Sequence, residues 1–469
     1  MQSKITQTPS EASQAVLEPS PRIALVTPYT GGNLGDAAIQ DAMIGNLRRR
    51  MPGAQFFGIT LDNDNFIKQH GAGAFPYLAD TTPLLSQQPK SLDGGTAKAA
   101  SGHRVWTTPI KRALWSVPGL VPFLKRARAR VNALVREISH SWEGYRILRT
   151  QNLLVISGGG QLDEEFGGAW RLPFAICKWV LLARLARVPC AMASVGAGRI
   201  TLPASRRFVS MALRLCQYRS FRETRSRAIA ASVLPRAIND PVVPDLAFSL
   251  PESELPSPVG DIRTKARGRP IVALSPMAYA KPGSWPNPKR ALYDRYVQQL
   301  ALALSCLSRR GYFLVVVCSS LGDDESVIPD LLGRLEGETR SSLDGQLHIP
   351  AIKTWRDLIA VLRDVDYLVA SRLHGTILGF VSGTPTVAIS PDPKVDWVME
   401  DLGQTDYLLH FQDFTAEEVL NKFDRIKLHR DAVVEQIASY RRGISSTSAS
   451  ARQYDLLAGL ALGHHQSHR

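Results

Sequence analysis

The sequence predicts an α/β protein built from two parallel-sheet domains that face each other across a cleft. Three observations lead there. Apolar, strand-like runs alternate with helical runs along most of the chain, the pattern of repeated βαβ units. The rhythm halts once, at "PESELPSPVGDIRTKARGR" (251–269), and restarts at "PIVALSPMAYA". At 469 residues the chain exceeds what one hydrophobic core holds, and 44% hydrophobic with 21% charged residues describes a globular protein. The expected division is a disordered arm over 1–20, an N-terminal domain over 21–255 with a basic insertion at about 68–150, a C-terminal domain over 265–440, and a C-terminal helix and polar tail over 441–469.

The elements follow in order. "RIALVTPYTGGNLGDAAIQDAMIGNLRRR" reads as a strand at Ile23–Val26, a glycine-rich turn and a helix starting near Asp36, with Ile39, Met43, Ile44 and Leu47 on one face. "AQFFGITLD" is a second strand, and the Gly, Ala, Thr, Pro, Ser and Gln composition of 68–105 predicts a linker. A helix is expected from about Phe123 to Ile138. "NLLVISGGG" is then a buried strand, "PFAICKWVLLARLARV" a helix, "PCAMASVGAG" a strand, "SRRFVSMALRLCQY" a helix and "RSFRETRSRAIAASV" a short strand with a helix. The second half repeats the scheme with strands in "PIVALS", "YFLVVVCSS", "LHIPAI", "DYLVASR" and "TPTVAIS", helices around 293–309 and 355–363, and helices running on towards 460. The expected architecture is two Rossmann-like domains facing a cleft, similar to two-domain (GT-B-like) glycosyltransferases. In such sheets ligands sit beyond the carboxyl ends of the strands.

A formal charge of +14 favours anionic partners, but much of it is local. Residues 101–150 hold ten Lys and Arg against Glu137 and Glu143, interleaved with Trp106, Trp115, Phe123 and Trp142. That segment suits peripheral contact with an anionic membrane or a lipid-linked glycan; a solvated helix packed on the core is the alternative. No recognition motif accompanies the charge, so nucleic acid is not expected as a partner. Five cysteines without a CxxC pair argue against a disulfide framework and a structural zinc site. The first twenty residues lack the apolar core of a signal peptide, and no apolar run reaches the roughly 20 residues of a membrane span. The expected location is cytoplasmic, with peripheral contact at the inner face of the membrane.

Polar chemistry collects at four strand ends. In "TGGNLGDAAI" the glycines let backbone N–H groups approach an anion, and Asp36 is either the helix N-cap or a carboxylate that deprotonates a sugar hydroxyl. In "SGGGQLDEEFGGAW", Gly158, Gly159 and Gly160 allow close backbone approach. Asp163, Glu164 and Glu165 after them are expected to face solvent rather than converge on a metal. In "RSFRETRSRAI", Arg222 either holds an anion or forms a surface ion pair with Glu223 or a neighbouring acid, and Asp245 in "PVVPDLAF" is expected to fix a loop or cap a turn. In "SRLHGTILGF", Arg372 and His374 would project on one side of an extended segment before the chain turns at Gly375. Arginine, imidazole and a helix N-terminus together suit a small dianion that must be protonated; a core histidine bonded to backbone is the alternative. Lys394 in "SPDPKVD" could neutralise a further phosphate charge. The histidines His464, His465 and His468 lie in the polar tail and are not expected to bind metal.

Taken in order, Asn33-Leu34-Gly35-Asp36, Gly158-Gly159-Gly160, Arg222 with Ser226, Asp245-Leu246-Ala247-Phe248, and Arg372-Leu373-His374 with Gly383-Thr384-Pro385 resemble the polysaccharide pyruvyl transferase family over roughly residues 22–400. The resemblance implies phosphoenolpyruvate as donor substrate, no further cofactor and no metal. Pyruvate would pass as a ketal onto two hydroxyls of a sugar or lipid-linked oligosaccharide in exopolysaccharide or cell-surface glycan biosynthesis. By the same carry-over Asp36, Arg222, Arg372 and His374 match functional positions. His374 would be the general acid, Asp36 would activate an acceptor hydroxyl, and Arg372, Arg222 and Lys394 would hold carboxylate and phosphate beside Asn33, Gly35 and the triple glycine. The readings that compete are a nucleotide-sugar glycosyltransferase of the same architecture and a catalytically silent binding protein of glycan assembly.

Overall fold

The structure, a computed structural model, describes residues 20–79, 120–165, 167–285, 287–335, 345–446 and 448–466. The arm expected over 1–20 falls almost wholly outside the described residues, as do Trp106, Trp115 and the side chains of Phe123 and the tail histidines.

The first half forms β1 (Arg22–Val26), α1 (Leu34–Arg50), β2 (Gln55–Thr60), α2 (Asn63–His70), β3 (Ala74–Pro76), α3 (Leu120–Leu148), β4 (Leu153–Ser157), α4 (Leu172–Leu185), β5 (Cys190–Val195), α5 (Pro203–Leu215), β6 (Tyr218–Phe221) and α6 (Thr224–Ala231). Its six strands are parallel, in the order β3-β2-β1-β4-β5-β6. After a short α7 (Asp261–Ala266), the second half supplies β7 (Ile271–Ser275), α8 (Arg290–Arg309), β8 (Phe313–Val316), α9 (Val327–Gly333), β9 (Leu347–His348), α10 (Trp355–Leu362), β10 (Tyr367–Ala370), α11 (Leu373–Val381), β11 (Thr386–Ser390), α12 (Pro393–Asp401), β12 (Leu408–His410), α13 (Ala416–Leu428), α14 (Arg430–Ser446) and α15 (Ser448–Gln466). The second sheet is also parallel, ordered β12-β11-β10-β7-β8-β9. Strand order reverses beside β1 and β4 in one sheet and beside β7 and β10 in the other. Those crevices are where doubly wound sheets bind ligands.

Parallel strands covered on both faces need continuous apolar runs, and "LLVIS" and "IVALS" are buried throughout. The two-residue period decides which layer each side chain joins. Ile23 and Leu25 belong to a core that continues through Leu246 and Phe248 into the second sheet, while Ala24 and Val26 join the opposite core around Trp179. One hydrophobic cluster therefore spans both sheets.

Three expectations change. The linker composition assigned to 68–105 begins too early, because Ala74–Pro76 pairs with β2 and Tyr77 is buried, its carbonyl accepting from Trp179 Nε1 at 2.9 Å. The third strand of the second sheet keeps only Leu347–His348 of "LHIPAI", since Pro350 cannot donate to a ladder. The helix expected over Phe123–Ile138 extends ten residues further, to Leu148.

The last helix, α15, returns to the first half. Tyr454 is fully buried there with its hydroxyl 2.8 Å from Ser249 Oγ, and Arg50 pairs with Asp455 at 2.5 Å. Tyr454→Ala should lower the chemical-denaturation midpoint by the equivalent of about 3–5 kcal/mol, the usual cost of deleting a buried aromatic side chain. An unchanged midpoint would mean that α15 is not seated by this residue.

Candidate active site

The turn after β1 ends in Asn33, and this residue, not Asp36, caps α1. Its Oδ1 accepts from Gly35 N–H at 3.1 Å and Asp36 N–H at 3.4 Å, while its Nδ2 donates to Asp36 Oδ2 at 2.8 Å. Of the two roles weighed for Asp36, the cap is thus taken by its neighbour. The same turn is joined to the loop after β8: Leu34 N–H donates to Ser319 O (3.0 Å) and Leu321 N–H to Gly32 O (2.8 Å), around an antiparallel bridge between Asn33 and Ser320.

His374 meets this join from the other side. Its Nδ1 lies 3.2 Å from Asn33 Oδ1, and the ring packs against Gly35, where a Cβ would collide with it. An amide oxygen can only accept, so Nδ1 is the donor to Asn33 Oδ1 and the neutral ring carries its proton on Nδ1. Nε2 is buried without a hydrogen-bond partner, 4.0 Å from Asp245 Oδ2. The alternative of a core histidine held by backbone does not describe this geometry.

Arg372 and His374 do not project together. The helix starts at Leu373, with Arg372 as an extended N-cap residue, so the two side chains diverge. Arg372 turns into its own half and makes a bidentate pair with the buried Asp324, at 2.7 and 2.8 Å. Arg222 likewise is no surface ion pair. It is buried and contacts Glu223 Oε2 at 2.8 Å and Asp245 Oδ2 at 3.3 Å. Burial alone would favour the neutral form of each guanidinium, but the facing carboxylates outweigh it and raise both pKa values. Asp245 caps the turn at Leu246–Ser249 as expected, accepting from Ala247 N–H at 3.0 Å, and in addition holds Arg222 beside His374. Gly196 permits this packing, since a Cβ there would stand 2.8 Å from Arg222 Nη2.

Asp36 sits at the centre of these charges. Burial raises its pKa; His374 opposes that, Asp245 adds to it, and Arg222 and Arg372 oppose it. Gly158 and Gly159 adopt positive φ, and the Cβ position of Gly159 points to Asp36 Oδ1 at 3.7 Å, while Gly160 is exposed with nothing near its Cβ position. On the far side, the N-terminus of α11 lies above two buried hydroxyls without partners, Ser275 Oγ and Ser319 Oγ, at 3.0 and 3.3 Å from where a Gly375 Cβ would be. N–H groups of a first helical turn with two unpartnered hydroxyls have the chemistry to hold an anion. Sequence reasoning did not assign Ser275, Ser319, Asp324 or Gly196; nothing in their local pattern separates them from ordinary loop residues.

Lys394, on the first turn of α12, reaches across to Asp163 Oδ2 at 3.1 Å. Asp163 and Glu164 are buried rather than solvent-facing. Glu164 accepts from Thr201 N–H and Oγ1 and from Leu202 N–H, and these bonds overcome its burial and take its pKa down to about 2. Glu165 is exposed. Among the described residues no group of three or more His, Cys, Asp or Glu side chains could hold a metal ion.

The tight contact at Gly35 gives a direct test. Gly35→Ala should lower the unfolding midpoint markedly, because its Cβ meets the His374 ring and not open space. Gly160→Ala should leave the midpoint unchanged or slightly raised. Equal midpoints for both variants would contradict the close approach of His374 to α1.

Comparison with known proteins bears on the family and the fold. The family model for polysaccharide pyruvyl transferase matches residues 33–393. No curated protein matches the chain. Among solved structures, a UDP-GlcNAc 2-epimerase from Neisseria meningitidis bound to UDP-GlcNAc superposes with a TM-score of 0.52 at 10% identity, covering 94% of this chain and 100% of that one. Anabaena HepE in complex with UDP gives 0.51 at 11% identity over 94% and 99%. A Rickettsia africae glycosyltransferase gives 0.50 at 10% identity over 96% and 98%. At such identities these likenesses speak to the fold, two parallel six-stranded sheets of the GT-B kind. The family match runs from the cap of α1 to the first turn of α12, and on that span the chain belongs to the polysaccharide pyruvyl transferase family.

Proposed function

We propose that the protein transfers pyruvate from phosphoenolpyruvate onto two hydroxyls of one sugar residue as a cyclic ketal, in the assembly of an exopolysaccharide or cell-surface glycan. The observation that carries this reading is His374, whose Nδ1 is engaged by Asn33 and whose Nε2 is left unpartnered, 4.0 Å from the Asp245 carboxylate. The reaction needs such a group. A proton delivered to the methylene carbon of the donor makes carbon 2 electrophilic, and His374 in its protonated form is the acid for that step.

Attack by the first acceptor hydroxyl forms a C–O bond at carbon 2 and releases a proton, for which Asp36 is the base. Departure of phosphate with the C–O bonding pair then opens carbon 2 to the second hydroxyl, whose proton leaves with phosphate or to solvent. The donor carboxylate and phosphate would bind at the α11 N-terminus with Ser275 and Ser319, within the field of Arg372 and Arg222. Lys394 would join them only by sharing its charge with Asp163. The acceptor is a sugar or a lipid-linked oligosaccharide.

Purified protein with phosphoenolpyruvate and candidate acceptors should release phosphate in step with a pyruvyl ketal on the acceptor. Turnover with a nucleotide sugar alone would replace this reading with a glycosyltransferase. His374→Gln should lower kcat by roughly 10²–10⁴-fold, the usual range for a lost general acid, with a normal unfolding profile. An unchanged kcat would remove His374 from the mechanism.

The sign of the pH dependence follows from Asp36. A base whose pKa is raised is ionised only above that raised value, so kcat/KM should fall as pH drops through it. Asp245→Asn removes a like charge that raises the Asp36 pKa, and the acid limb of the profile should move to lower pH. A limb that stays in place or moves upward would exclude Asp36 as the base.

A further inference from the structure

We propose that the outward face of α3, with the adjoining end of α4, docks the protein on an anionic lipid bilayer. Among the described residues the helix packs on the body through one side. His140 Nε2 meets Pro76 O at 2.8 Å, Gly144 lies under the Trp179 ring and Leu148 is buried. At 100° per residue, Val131, Leu134, Val135, Ile138 and Trp142 fall within a stripe of about 100° on the side opposite His140 and Gly144. Each of the five is 58–62% exposed. They continue into a groove of about 620 Å³ lined by Ile138, Trp142, Tyr145, Leu182 and Leu185. A contiguous apolar face of this size on a water-facing helix marks an interaction surface.

Charge complementarity decides the partner. Arg128 and Arg146 flank the stripe, Arg149 closes its lower end, and Arg184 and Arg187 border Leu185, all of them exposed. Glu137 is tied to Lys178 at 2.6 Å, which leaves Glu143, on the shoulder of the helix, as the remaining acid of α3. An apolar stripe bordered by arginines is the pattern of a helix lying in the headgroup region of a bilayer with negative surface charge. Position agrees with this. His140 is level with Pro76, at the carboxyl end of β3, so the turns of α3 before it stand beyond the strand ends on the side where the catalytic cleft opens. Residues 128–136 are exposed on every side, as a projecting arm requires.

Flotation of the full chain with acceptor-free vesicles tests the proposal apart from any pyruvyl transfer. Vesicles of 70% phosphatidylcholine and 30% phosphatidylglycerol should carry the protein, and pure phosphatidylcholine vesicles should carry at least tenfold less. Leu134→Asp with Val135→Asp should abolish flotation, and Arg128→Glu with Arg149→Glu should weaken it at least tenfold and remove its salt dependence. All four positions lie outside the catalytic cleft, so phosphate release with a soluble acceptor should be retained. No flotation on anionic vesicles, or flotation indifferent to these substitutions, would overturn the proposal. So would a wild-type dimer that the Leu134 and Val135 changes dissociate, since the face would then belong to a second copy.

Discussion

The site depends on one join, the meeting of Asn33 with His374 where the turn after β1 touches the second half of the chain. Two backbone hydrogen bonds hold the turn to the loop after β8, and Asn33 does three things at once. It caps α1, orients the Asp36 carboxylate, and accepts a hydrogen bond from His374 Nδ1. Each fixes another: the cap sets the direction of Oδ1, Oδ1 selects the tautomer, and the tautomer leaves Nε2 bare beside Asp245. Gly35 is required because His374 lies where any side chain would stand. Beneath the join, buried apolar residues of both halves belong to one hydrophobic cluster.

Charge balance shapes the rest. Arg222 is buried and Arg372 half-buried, and both are already matched by Glu223, Asp245 and Asp324. Removing one member of such a set typically costs about 3–5 kcal/mol, because an unpaired charge remains buried. These arginines therefore act on a bound dianion mainly through their field and their hold on the surrounding loops. Besides His374 Nε2, the unpartnered side-chain groups here are two neutral hydroxyls, Ser275 Oγ and Ser319 Oγ, next to the α11 N-terminus. Preorganised dipoles of this sort stabilise developing charge without reorganising at the moment of reaction.

The sheets were legible in the sequence because parallel strands buried on both faces must be apolar runs, as in "LLVIS", "IVALS" and "DYLVAS". The residues that face the cleft were legible for a related reason: polar side chains directly after such runs fall at carboxyl ends of strands. What pairs with what was not. Asp324 reaches Arg372 from 48 residues away and Asp163 reaches Lys394 across 231, and no local spacing encodes either. The divergence of Arg372 and His374 turned on a helix starting at Leu373, two residues before the glycine that suggested the turn. Asp36 looked like a cap because it is acidic and early in the helix, yet Asn33 sits at the true boundary. The return of α15 to the first sheet rests on Tyr454 and Gln453, ordinary residues in a chain segment that reads simply as helix.

The join decides which nitrogen of His374 carries the proton. The most direct measurement is ¹⁵N NMR of the protein labelled at histidine, with the His374 ring assigned through its loss in His374→Gln. The expected result for the neutral ring is a proton on Nδ1 and a bare Nε2. A proton on Nε2 instead would mean that Asn33 does not hold the ring, and the proton path built on it would fail.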